Sequence, residues 1–178
     1  MTGLGREYGE GLYELARDEG LRDEIHDQLM QILDCVKAQP RFIHLLSSRA
    51  VERRERLKVV GDTLGGQAHA YVVNFMKLLV ERERFDCFED CVKWFHTRYN
   101  DDLGILEAQV TSAVALPQAD IDAIRDKLQQ LSGKRVAVHT QVDASLIGGL
   151  RVEMDGRRYD NSIKDRLARM KHSLAHSL

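Results

Sequence analysis

The residues best equipped to hold a metal ion or attack a substrate are Cys87, Cys91 and His96. Cys87 and Cys91 stand four apart, so on a helix they share one face. That spacing supplies at most two soft ligands, and no second pair lies nearby in sequence to complete a tetrahedral site. Cys91 also falls on an apolar stripe with Phe88, Val92, Phe95 and Tyr99. The pattern favours buried structural cysteines over a metal centre. Nucleotide chemistry fares no better. The stretch from Gly61 through Gly65-Gly66 lacks the Gly-Lys-Ser/Thr ending of a phosphate loop, and Gly3-Leu4-Gly5 follows no strand. No Gly-x-Ser-x-Gly elbow is present, and no cysteine and histidine share a local catalytic signature. His26, His44 and His69 fall in helical stretches, where a packed or solvated ring is the default. The side chains therefore predict no enzyme, no metal and no cofactor.

What remains is charge and shape. Up to Gly133 there are 17 Lys and Arg against 23 Asp and Glu; from Lys134 onward there are 9 against 5. An acidic first part and a basic second part suit two surfaces with different partners, or an unevenly charged solvated surface. Arg151, Arg157, Arg158, Lys164, Arg166, Arg169 and Lys171 make a nucleic-acid patch conceivable. Tyr159 is the only aromatic among them, so the stacking platforms of single-strand binders are missing. A face that meets an acidic protein helix, or only water, fits better.

Elements that could position a binding surface are clear in the apolar spacing. Over the first hundred residues every pattern is helical. Leu4, Tyr8, Leu12 and Leu15 make one stripe. Leu21, Ile25, Leu29, Ile32, Leu33 and Val36 make a second after Gly20. Pro40 suits the first position of a short third helix carrying Phe42, Ile43, Leu45 and Leu46. Leu57, Val60 and Leu64 mark a fourth, ended by Gly65-Gly66. Ala68, Tyr71, Val72, Phe75, Leu78 and Leu79 mark a fifth, and the stripe of Cys91 a sixth. Short connections predict an antiparallel, bundle-like six-helix domain over residues 1–104.

Beyond Gly104 the period changes. Leu106, Ala108, Val110, Val114 and Leu116 alternate with polar residues as a strand. Pro117 opens a helix with Ile121, Ile124, Leu128 and Leu131 inward, and Gly133 suits its C-terminal cap. Val136, Val138, Thr140 and Val142 form another strand. Leu150, Val152 and Met154 form a third, and Asp155-Gly156 suits a type I′ hairpin turn into a short return strand, Arg157 to Asp160. Gly148-Gly149 sits where that third strand begins, which predicts a bulge or a close backbone approach. Ser162 and Asp165 resemble a capping box before a final helix with Ile163, Leu167, Met170 and Leu174. The fold class is α+β: a six-helix domain, then a smaller β-α-β-β-β-α domain over residues 105–178, with the boundary at Asn100 to Gly104.

At 178 residues the chain can bury one or two cores. No window nears the roughly 18 apolar residues of a membrane span, and the start lacks a secretory apolar region. Three cysteines without a leader predict reduced thiols in a cytosol-like compartment.

The run from Asp143-Ala-Ser-Leu-Ile-Gly-Gly-Leu-Arg-Val through Asp155-Gly156 and Asp160-Asn-Ser162 to Leu167-Ala-Arg-Met170 resembles the C-terminal signature of the delta subunits of F-type ATP synthases, the bacterial counterparts of the oligomycin-sensitivity-conferring protein. Tyr8 to Ala16 resembles that family's first helix, Asn74 to Phe85 its fifth, and Val110 to Leu116 its first strand. The resemblance runs nearly the whole chain in order. Where the family commonly has alanines this chain has Gly9 and Gly11, and the family commonly has a glycine near Glu83. The family hairpin often carries Gly-Asp where this chain has Asp155-Gly156.

The resemblance implies a non-catalytic stator subunit of a proton-translocating ATP synthase. Its helical domain would hold the N-terminal segments of alpha subunits on the catalytic head. Its second domain would grip the b subunits of the peripheral stalk. The subunit would resist rotor torque, peripheral to the cytoplasmic face of the bacterial plasma membrane and attached only through the complex. The family site on the first and fifth helices puts Tyr8 and Gly11 on one wall of a groove and Asn74 and Leu78 on the other. Gly148 and Gly149 carry a structural role in the second domain. The alternative is a cytosolic RNA-binding or adaptor protein using its basic C-terminal half.

Overall fold

The computed structural model describes residues 3–146 and 148–160. The chain divides into two compact units, Met1–Asn100 and Asp101–Leu178.

The first unit is helical. Its elements are α1 (Gly3–Asp18), α2 (Arg22–Ala38), α3 (Pro40–Ser47), α4 (Arg53–Leu64), α5 (Ala70–Glu81) and α6 (Phe88–Leu103), with a 3₁₀ turn at Phe85–Cys87. The last residues of α6 extend into the second unit. Each helix has a local reason to exist. Pro40 occupies the first turn of α3, where its missing N–H is not needed. The acidic Asp23 and Glu24 sit in the first turn of α2, and Glu89 and Asp90 in that of α6, where the helix dipole favours negative charge. One core serves all the helices. Tyr13, Ile25, Leu29, Leu46, Val60, Val72, Met76, Leu79, Phe85, Phe88 and Phe95 are almost wholly buried in it. Tyr13 meets Phe95 edge-on at 5.2 Å between ring centroids, which joins α1 to α6.

The expected phase of α1 is corrected. Its buried residues are Gly5, Gly9, Leu12, Tyr13 and Ala16. Leu4 and Leu15, expected on the inner stripe, are each 39% exposed. The buried face is shifted because two glycines allow α1 to approach its neighbours along a line without bulky side chains.

His69 is not a helical residue. It is the N-cap of α5, and its Nδ1 accepts the Tyr71 backbone N–H at 3.2 Å. The end of α5 is closed by Arg84 N–H donating to Leu79 C=O and Glu83 N–H donating to Val80 C=O. This is the Schellman pattern, and it places Glu83 at φ +54°. The glycine that the family resemblance expects near this position thus has a backbone reason.

The second unit is built on a four-stranded sheet of β1 (Ile105–Ser112), β2 (Arg135–Val142), β3 (Leu150–Met154) and β4 (Arg157–Asp160), in the order β2-β1-β3-β4. β1 and β2 are parallel and joined by the crossover helix α7 (Gln118–Ser132). β1–β3 and β3–β4 are antiparallel. Ala108, Leu128 and Val136 form the buried centre between sheet and helix, with Leu106, Ile124, Val138, Val152 and Met154 packed around it. Gly133 caps α7 in the left-handed region as expected.

The hairpin follows the expected chemistry: Asp155 and Gly156 both have positive φ, 52° and 68°, as a type I′ turn demands. β1 ends earlier than its alternation suggests. The Ser112 hydroxyl donates to Val114 C=O at 2.6 Å, bending the chain, and Val114 is 69% exposed. Gly148 and Gly149 precede β3 and form no bulge within it. Gly149 is exposed with φ +88°, so its requirement is a backbone conformation and not burial. The expected final helix, with Ser162, Asp165, Ile163, Leu167, Met170 and Leu174, lies outside the described residues.

Candidate functional site

Cys87 and Cys91 are buried against each other. Cys87 donates to Arg84 C=O at 2.9 Å from the 3₁₀ turn, so it is not on the same helix as Cys91. Cys91 Sγ lies 3.9 Å from Cys87 Sγ. Burial pushes both thiols above their ordinary range, which suppresses the reactive thiolate. His96 turns away from them toward His26. Among the described residues no three His, Cys, Asp or Glu side chains cluster to hold a metal.

What the geometry does form is an open groove on the surface of the first unit. Tyr8 and Gly11 on α1, with Asn74 and Leu78 on α5, line one open groove of about 640 Å³. The structure thus brings together all four residues of the expected groove. The helix periodicity explains why. α1 turns Gly9, Leu12 and Tyr13 into the core, which leaves Tyr8, Gly11 and Leu15 along its outer edge. α5 buries Val72, Phe75, Met76 and Leu79, which leaves Tyr71, Asn74 and Leu78 along its own. Residues four apart on each helix stack one above the other, so the two edges run as walls. Glu7, Lys77 and Glu81 add charge around an otherwise apolar lining.

The wall made by α1 is held from behind by polar ties to α6. Trp94 Nε1–H donates to Glu10 at 2.5 Å, and Arg98 Nε–H donates to the other carboxylate oxygen at 3.2 Å. Arg6 lies over the Trp94 ring at 4.7 Å. A Cβ on Gly9 would stand 2.6 Å from Cys91 O and 3.0 Å from Trp94 Cβ. Gly9 is therefore the glycine that internal packing requires. Among the described residues, a Cβ on Gly11 would meet nothing within 4 Å. Its side faces open space along the groove. Sequence reasoning missed Glu10, Trp94 and Arg98; no pattern in a single sequence joins residues more than eighty positions apart.

Gly148 and Gly149 stand together in the second unit, beside a shallow cavity of about 550 Å³ whose other walls include Val114, Leu116 and Ile124. Of the basic residues there, Arg158 pairs with Glu153 at 3.5 Å. Among the described residues no helix is long and apolar enough to cross a membrane.

Comparison with known proteins bears on all of this. The family model described as ATP synthase delta (OSCP) subunit matches residues 4–174. The ATP synthase subunit delta of Myxococcus xanthus is 30% identical over 174 residues, 96% of each chain. That of Synechococcus elongatus is 30% identical over 169 residues, 94% of each chain. In fold, the chain is similar to one in a cryo-EM structure of the Toxoplasma gondii mitochondrial ATP synthase hexamer, with a TM-score of 0.79 at 16% identity and 98% of both chains covered. Nothing in these likenesses supports the RNA-binding or adaptor alternative. A match of this extent over both units shows that the chain belongs to the ATP synthase delta (OSCP) subunit family, the non-catalytic peripheral-stalk subunits of that complex.

Proposed function

We propose that the helices of the first unit act as one six-helix domain that docks on the catalytic head, and that the groove between α1 and α5 receives the N-terminal helix of an alpha subunit. The observation that carries this is the groove itself: Tyr8, Gly11, Asn74 and Leu78 on facing walls, with room beside Gly11 that no side chain among the described residues fills. An amphipathic helix would lay its apolar face along the groove. The second unit would grip the b subunits. The subunit so placed links the head to the stalk at the cytoplasmic face of the bacterial plasma membrane. It contacts the membrane only through the complex and resists the torque of the rotor.

Gly11→Trp tests the groove. An indole at an open position would fill it without disturbing the core, so circular dichroism should match the wild type. Binding of a peptide with the alpha N-terminal sequence, followed by calorimetry, should be lost. Asp18→Ala, an exposed change on the last turn of the same helix, should leave binding intact. A folded Gly11→Trp protein that binds the peptide at wild-type affinity would place the contact elsewhere.

A further inference from the structure

The groove between α1 and α5 carries a charge pattern that its apolar lining does not explain. Glu7, four residues before Gly11 on α1, lines it. Glu14, two turns after Glu7 and also exposed, continues the same edge of the helix. On α5, Glu81 follows Leu78 by three residues and lines the groove as well. Among the described residues none of these three carboxylates is held in a hydrogen bond or an ion pair. Glu10 shows the contrast: on the side of α1 that faces α6, it is bonded to both Trp94 and Arg98. Glu81 is also poorly placed for its own helix. It is the last residue of α5, where the dipole disfavours a negative charge, and the last turn holds no basic residue to offset it.

The groove's one basic lining residue, Lys77, reaches toward α4. Its Cε and its Nζ would each lie 3.7 Å from a Cβ placed on Gly61. The rim is thus dominated by carboxylates on both walls.

A helix seated between the walls would lay its apolar stripe on the centre and bring its two flanks over these carboxylates. Acidic flanks would be repelled, and neutral ones would cover the carboxylates without pairing them. Lys and Arg do neither. Their apolar stems can lie along the walls while their charged ends meet the rim. The geometry points to a basic amphipathic helix as the occupant: given that the groove is the alpha site, as proposed above, the alpha segment that fills it has an apolar stripe flanked by Lys or Arg on both sides. Glu7 and Glu14 select one flank and Glu81 the other. Charges at a solvated rim act on capture and selectivity, and the apolar centre retains the bound helix.

The test uses the full chain and a peptide with the N-terminal sequence of the alpha subunit from the same organism. Association and dissociation rates are measured at about 0.01 M and about 0.15 M salt, where the screening length drops from roughly 30 to 8 Å. Wild-type affinity should fall at the higher salt, chiefly through slower association. The triple variant Glu7→Gln, Glu14→Gln, Glu81→Gln changes only exposed positions and should keep the wild-type circular dichroism. At low salt it should bind about tenfold more weakly than the wild type and lose most of the salt dependence. Lys77→Gln should bind more tightly. Wild-type affinity that ignores or rises with salt would overturn the charge selection. So would a triple variant equal to the wild type, or an alpha N-terminal sequence with no Lys or Arg beside its apolar stripe. In those cases the groove itself still stands if Gly11→Trp abolishes binding; binding that survives Gly11→Trp removes the groove assignment and the charge selection together. A wild-type protein that dimerises, and ceases to with Gly11→Trp, would give the groove to a second copy and overturn the basic helix as its occupant.

Discussion

Gly9 and Gly11 are two positions apart on α1, and alanine at the two should have opposite effects. A mid-helix glycine costs about 0.5–1 kcal/mol relative to alanine, so both substitutions begin with that gain. At Gly11 nothing among the described residues stands within 4 Å of the new Cβ, and the gain should survive. At Gly9 the Cβ would lie 2.6 Å from Cys91 O, about 0.8 Å inside ordinary contact, and 3.0 Å from Trp94 Cβ. Neither neighbour is the free end of a flexible chain. α1 would have to back away, against the Glu10 bonds to Trp94 and Arg98. Overpacking of this kind costs about 1–3 kcal/mol, which exceeds the propensity gain. The two variants should therefore differ by roughly 2 kcal/mol, with Gly11→Ala above the wild type and Gly9→Ala below it. For a domain of this size that is on the order of 10 °C between their melting temperatures. Thermal and urea unfolding followed by far-ultraviolet circular dichroism would measure it. The family resemblance expects alanine at both positions; the geometry accepts it at one. If Gly9→Ala stabilises as much as Gly11→Ala, the close approach of α1 to α6 is wrong, and so is the account of what holds that groove wall.

Other substitutions probe other joints. Glu83→Gly should raise stability slightly, because relief of a left-handed residue is worth about 1–2 kcal/mol and the exposed pair with Arg49 at most about 1; Glu83→Val should lower it, and an inverted order in urea melts would reject the backbone argument. Gly149→Asp should destabilise the second unit by about 1–2 kcal/mol through its φ of +88°; unchanged unfolding together with unchanged b-subunit binding would rule this out. Trp94→Phe should cost about 1–3 kcal/mol, by removing the indole N–H and leaving Glu10 with one donor fewer; a melting temperature equal to the wild type would show that Arg98 alone suffices.

Much of the helical unit could be read from spacing because bulky apolar residues mark the core faces of α2, α3, α5 and α6. The reading slipped on α1, where the buried line is Gly5, Gly9 and Ala16 as much as Leu12 and Tyr13. Small residues pack by letting a neighbouring helix come close, and no hydrophobic period registers that. The first strand was overrun for a related reason. Val114 continues the alternation in sequence, but the Ser112 hydroxyl bonds the backbone two residues on and turns the chain before Val114 can pair. His26 and His69 were given a default role because their partners are a ring seventy residues away and a backbone N–H, neither of which a local pattern shows.

The groove was placed by the family resemblance and not by spacing, and the reason spacing could not place it is physical. An enzyme site is visible in a sequence when its chemistry demands particular side chains. A helix-binding groove demands only that two helices leave their outer edges uncovered. On α1 and α5 those edges are Tyr8, Leu15, Tyr71 and Leu78, residues that the core leaves at least partly uncovered. Such residues look like core to any count of periodicity. It is the shift of α1's buried face onto its glycines that releases Leu15 and opens Gly11 to the groove. The same error of phase that misplaced the α1 stripe bears on this surface: Leu15, expected in the interior, lines the groove, while Leu4 is exposed outside it. The opposite signs expected at Gly9 and Gly11 follow from that one rotation, since it turns the first glycine against α6 and the second toward the open wall.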